Sequence, residues 1–114
     1  MNLIPFQIID WEKVPSTEKD GETGTVRSKT LQLDNIRVRI VEYSAGYKAD
    51  HWCQKGHIIH CLEGEMVSEL EDGNKSVFCK GMTYIVSDDL SSHRSTTANG
   101  VKLLIIDGDF LKSN

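Results

Sequence analysis

The chain has 114 residues, of which 39% are hydrophobic and 26% charged, and it carries a net charge of −4. That length accommodates one core and not two, and the mixture is that of a globular domain rather than a disordered or bilayer-spanning chain. No Lys/Arg run is available to neutralise a phosphate backbone and no apolar run reaches membrane-spanning length, so neither nucleic acid nor membrane is an expected partner.

The opening Met1-Asn2-Leu3-Ile4-Pro5 has no basic start and no extended apolar segment, so it does not read as a secretory signal, and the cytoplasm is the expected location. A first strand is expected over 7–10. The polar, aperiodic stretch 12–25, with Pro15, Gly21 and Gly24, reads as an exposed connection. Strands are then expected over 28–33, 36–43, 57–62, 66–71, 75–79, 82–86 and 101–107, where β-branched or alternating residues recur between turn signals. The turns fall at Asp34-Asn35, Ser44-Ala45-Gly46, Asp72-Gly73 and Asn99-Gly100, and Asp-Gly between alternating runs is a strong hairpin signal. Lys112-Ser113-Asn114 reads as a solvated tail. The result is an all-β single domain over 1–114, with 1–27 an amino-terminal strand and exposed loop and 28–108 the core of a barrel or sandwich.

Cys53, Cys61 and Cys79 are odd in number and cannot all pair, which argues against a disulfide framework. His51 and Cys53 are strong metal-ligand types two residues apart, a spacing at which an extended backbone points both side chains the same way. His57 shares their parity across Lys55-Gly56. Imidazole and thiolate together select a divalent transition metal, zinc first, with iron, nickel or copper as alternatives, and leave little room for magnesium or calcium.

The segment from Gly46 through His51, Cys53 and His57 to Gly64 resembles the first cupin motif, with His51 and Cys53 at the two motif His positions and His57 at that of the Glu. Gly81 through His93 resembles the second motif, although Ser87 and Asp89 stand where Pro and Gly are usual. More narrowly, Asp50-His51-Trp52-Cys53, Lys55-Gly56-His57 and Leu62-Glu63-Gly64-Glu65 resemble the DHCW-motif cupin-fold proteins. The resemblance implies a cupin-type β-barrel, a jelly roll or double-stranded β-helix, in which His93 completes a metal site with His51, Cys53 and His57. It also implies a small-molecule pocket at the barrel mouth and a homodimer. It does not choose between an enzyme and a non-catalytic ligand-binding or sensing module whose metal is structural or absent. A closed tetrahedral site with all four side chains would be structural; an open position would admit water or substrate.

Each residue also has a plainer reading. The cluster can be a polar barrel mouth without an ion, and His93 taken alone is a loop histidine. His60 has the opposite parity to His57 and is expected on the sheet surface or an interface, whereas Cys61 is expected inward as a small apolar residue. Trp52 is expected to pack away from the His51 and Cys53 face. Arg37 and Arg39 share one strand face, opposite Ile36, Val38 and Ile40; that face is either solvated or, with Tyr47, a lining of the mouth that binds an anionic substrate.

Overall fold

A computed structural model describes residues 4–112; Ser113 and Asn114 of the expected tail lie outside the described residues. Alternation of inward and outward side chains dictates the strands. In Val101–Gly108 the residues Val101, Leu103, Ile105 and Asp107 are buried, and in His57–Leu70 so are His57, Ile59 and Cys61. The strands among the described residues are β1 (Ser16–Asp20), β2 (Thr25–Leu33), β3 (Ile36–Tyr43), β4 (His57–Leu70), β5 (Lys75–Cys79), β6 (Thr83–Val86), β7 (His93–Thr96) and β8 (Val101–Gly108). All pairings are antiparallel, in the order β1-β2-β3-β8-β4-β5, with β6 and β7 also on β4. No helix among the described residues is long and apolar enough to cross a membrane.

β4 joins the two halves of the molecule. Its first half pairs with β8 and β6, its second with β5 and β7. The expectation of two strands separated near Gly64 is corrected: one strand of 14 residues runs through, with a register irregularity between Cys61 and Glu63. Gly64 has φ +81°, and an added Cβ would lie 2.4 Å from the Gly100 carbonyl oxygen, so the bend requires glycine. Residues 63–65, left between the two expected strands, thus bend one strand instead of separating two.

The amino-terminal expectation also changes. Residues 7–10 form no strand, and Ser16–Asp20, read as exposed connection, pairs with β2 as an edge strand. All five of its residues are exposed, so it lacks the apolar alternation that would mark it, and the backbone ladder alone defines it. β2 correspondingly starts at Thr25 rather than residue 28. The short β7 was not expected either, being polar throughout.

Val41, Ile59, Cys61, Met66, Phe78, Val101, Leu103 and Ile105 form one core cluster. Along β3, β8 and the start of β4 the inward positions change character. Val41, Leu103 and Cys61 face one another at one end, and Arg37 stands opposite Asp107 at the other. The barrel is therefore apolar at one end and polar at its mouth.

Candidate metal centre

Cys53 lies in the irregular segment before β4, held by a two-way backbone bridge to the start of β7. Its N–H donates to the His93 carbonyl at 2.7 Å, and the His93 N–H donates back at 3.0 Å. Gly56 lets the same segment press against the loop after β6: an added Cβ would sit 2.6 Å from the Val86 carbonyl oxygen, and the Gly56 N–H donates to Asp88 Oδ1 at 2.6 Å. These contacts bring Cys53, His57 and His93 together, each offering a ligand atom within 4.8 Å of the others. The group is able to hold a metal ion. Two imidazole nitrogens and one thiolate are a borderline-soft donor set, suited to a transition metal and poorly suited to magnesium or calcium.

The ring orientations fit that use. His57 Nδ1 donates to Asp107 Oδ2 at 3.2 Å, and His93 Nδ1 donates to the Ser91 carbonyl at 2.8 Å. A carbonyl can only accept, so the neutral His93 ring carries its proton on Nδ1 and keeps a lone pair on Nε2. The Asp107 carboxylate does the same for His57, whose Nε2 lies 3.3 Å from Cys53 Sγ. Burial opposes ionisation of Cys53, but hydrogen bonds from His57 and His93, and one involving the Lys55 backbone, outweigh it and bring the thiol down to about 5. Its hydrogen bond to Cys53 raises His93 against the effect of burial. The Cys53 thiolate accepts from a ring Nε2 only where that ring also carries a proton there, and a metal ion would take the place of such protons.

His51 does not join them. Its side chain is 75% exposed, and its Nδ1 lies 2.6 Å from Asp50 Oδ1. The parity argument required an extended chain, whereas the backbone bends at Asp50 and His51. His51 instead borders the cavity at the mouth, which has a volume of about 410 Å³. Arg37, Arg39 and Tyr47 also line it. Tyr47 is buried and stacks on Tyr43, with ring centroids 4.2 Å apart.

The sequence reading missed Asp107, which is 2% exposed and accepts hydrogen bonds from His57, Arg37 Nε and Nη2, and Arg39 Nη2. A signal existed: a carboxylate sharing parity with Val101, Leu103 and Ile105 on an otherwise apolar strand is a buried charge that needs partners. Tyr43 and Tyr84 also line the cavity, their phenols pushed up chiefly by burial and so kept protonated. Away from the site, His60 sits on the sheet beside Thr83, Cys61 is fully buried with its thiol pushed up by burial, and Trp52 packs under the Arg94 guanidinium at 4.4 Å.

The sheet topology is that of the cupin fold, and similar solved structures include one that carries that name. An RmlC-like cupin from Shewanella frigidimarina superposes with a TM-score of 0.69 at 16% identity, covering 91% of each chain. A predicted oxalate decarboxylase from Thermotoga maritima gives 0.75 at 14% identity, covering 90% of this chain and 99% of that one. The FeII form of HppE gives 0.72 at 14% identity, covering 94% of this chain and 63% of that larger one. No protein-family model and no curated protein sequence matches the chain. The cupin fold is shared across these proteins at identities too low to carry an activity with it.

Proposed function

We propose that this is a metal-binding cupin whose ion is held by Cys53, His57 and His93 and faces a small-molecule pocket at the barrel mouth. The observation that carries the reading is the oriented trio itself, three ligand atoms within 4.8 Å at the wall of a cavity. Zinc is the first expectation from the thiolate, with iron, nickel or copper as alternatives. With His51 outside the group, three protein ligands leave a position for a bound molecule, which favours a reactive or ligand-binding site over a closed structural one. When bound, the ion supplies Lewis acidity toward an oxygen of that molecule.

The protein's own contributions are positional. Asp107 fixes the His57 ring, the Ser91 carbonyl fixes the His93 ring, and the Cys53 backbone is tied to β7. Elemental analysis of protein purified without added metal tests the reading. Near-stoichiometric transition metal is expected, falling sharply in Cys53→Ala and His93→Ala. A metal-free wild type, or occupancy that neither substitution lowers, refutes it.

A further inference from the structure

The protein is acidic overall, with a net charge of −4, yet among the described residues no Asp or Glu lines the mouth cavity. Lys19, Arg37, Arg39, Lys55 and Arg94 do. Two of these are offset from outside the lining: Arg94 Nε lies 2.8 Å from Glu69 Oε1, and Lys55 Nζ 3.6 Å from Asp88 Oδ2. Arg37 and Arg39 share a single carboxylate, Asp107, which also serves His57. Set against the Asp107 carboxylate and the Cys53 thiolate, the two guanidiniums and Lys19 on β1 still leave positive charge in excess at the cavity wall.

The two arginines are unequally satisfied. Arg37 engages both oxygens of Asp107, through Nε at 3.0 Å and Nη2 at 3.0 Å. Arg39 reaches Asp107 through Nη2 alone, at 3.1 Å, and its Nε is buried with no hydrogen-bond partner among the described residues. A buried donor without an acceptor costs free energy, so the Arg39 guanidinium stands beside the cavity below its full hydrogen-bonding capacity. Burial and the neighbouring Arg37 both disfavour the charged form of Arg39, a tension that a bound anion relieves. Tyr43 and Tyr84 line the same cavity. The lining thus offers donors and positive charge, and lacks the carboxylate acceptors that would favour a sugar or an amine.

We propose that the pocket binds a small molecule bearing a carboxylate or phosphate group, with Arg39 as its anchoring residue and the rest of the molecule extending toward Cys53, His57 and His93. The second half of this statement rests on the metal-site reading above; the anion anchor does not. Titration calorimetry of the purified protein at low salt, with metal content measured in parallel, tests both. The probes are malonate, inorganic phosphate and malonamide, which has the shape of malonate without its charge.

At least one of the two anions is expected to bind, and malonamide about tenfold more weakly or worse, as loss of a charge-assisted hydrogen bond implies. Arg39→Gln is expected to weaken the anion about tenfold or more, per metal-loaded and per metal-free protein alike, with metal content measured for each. Lys19→Gln, on an exposed edge strand, should weaken it about two- to threefold and lessen its salt dependence. Malonate binding identifies a carboxylate ligand and phosphate binding a tetrahedral one; either supports the anchor. Binding of neither anion, equal binding of malonamide, or anion affinity unmoved in a folded Arg39→Gln protein overturns it. If Arg39→Gln does not fold, the wild-type malonate-to-malonamide ratio and Lys19→Gln decide. A metal-free protein that still binds malonate through Arg39 removes the metal reading and leaves the anchor standing.

Discussion

Replacing Asp107 by Asn removes the one charge that links the metal group to the arginine pair. The carboxylate side chain is 3% exposed and receives four hydrogen bonds, at 3.0, 3.0, 3.1 and 3.2 Å. Breaking a fully buried ion pair costs about 3–5 kcal/mol because the surviving charge is left uncompensated. Arg37 is 38% exposed, so water screens its share, whereas Arg39 at 21% and His57 at 7% have little relief. Asn also keeps one carbonyl acceptor. The expected loss is therefore about 2–3 kcal/mol, read as a drop in melting temperature of roughly 8–15 °C. In the same variant the His57 ring loses its orienting carboxylate, and zinc affinity should fall about 10- to 100-fold. Thermal denaturation of metal-free protein and zinc titration against a competing chelator measure the two effects separately. A stability loss below about 0.5 kcal/mol, the size of an ordinary surface substitution, with zinc affinity unchanged, would refute the role given to Asp107.

Cys53 should appear as a thiolate in metal-free protein, with its 240 nm absorbance titrating near pH 5, where the bonds from His57 and His93 bring it; a midpoint above pH 8 would contradict that arrangement. Because its folded value lies below the ordinary 9.0, Cys53 contributes stability that is complete above about pH 9 and lost as pH falls to about 5. His93 acts in the opposite sense, stabilising below 6.5 and losing that contribution as pH rises through its elevated folded value. Comparison of wild type with Cys53→Ser by urea denaturation across this range reads the joint Cys53 and His93 contribution, since the substitution also removes the bond that raises His93. Gly64→Ala should destabilise by about 1–3 kcal/mol, since alanine is strained at φ +81° and its Cβ meets the Gly100 carbonyl; an unchanged denaturation midpoint would show that β4 bends without help from this glycine. Leu103→Ala, at a fully buried position facing Val41 and Cys61, should cost about 2–5 kcal/mol while leaving metal content intact. Metal loss in a folded Leu103→Ala protein would mean that the apolar end and the mouth are not separable.

The alternation in β3, β8 and the first half of β4, with turn residues such as Asp72-Gly73, carried the all-β class and the inward direction of Cys61, because a period of two is written locally in the chain. That Cys53 and His57 belong to one site was legible from the motif resemblance; their contact depends on the bend at Lys55, since an extended chain would hold residues four apart at about 13 Å. Exposed edge strand β1 was not legible, since neither face is buried and its sequence has no pattern to keep. Parity fixes which side chains share a side; it does not say which side faces the barrel interior, so Arg37 and Arg39 stayed undecided until β3 was laid against β8. His51 left the group because bends at Asp50 and His51 broke the extended geometry on which its parity depended. Asp107, fifty residues from His57, became its partner only when barrel closure brought β8 beside β4. The sequence by itself thus determined the fold class and supplied the thiolate and imidazoles. Tertiary structure decided which three converge, which carboxylate holds them, and where the unbalanced guanidinium faces, because those are distances across strands and not along them.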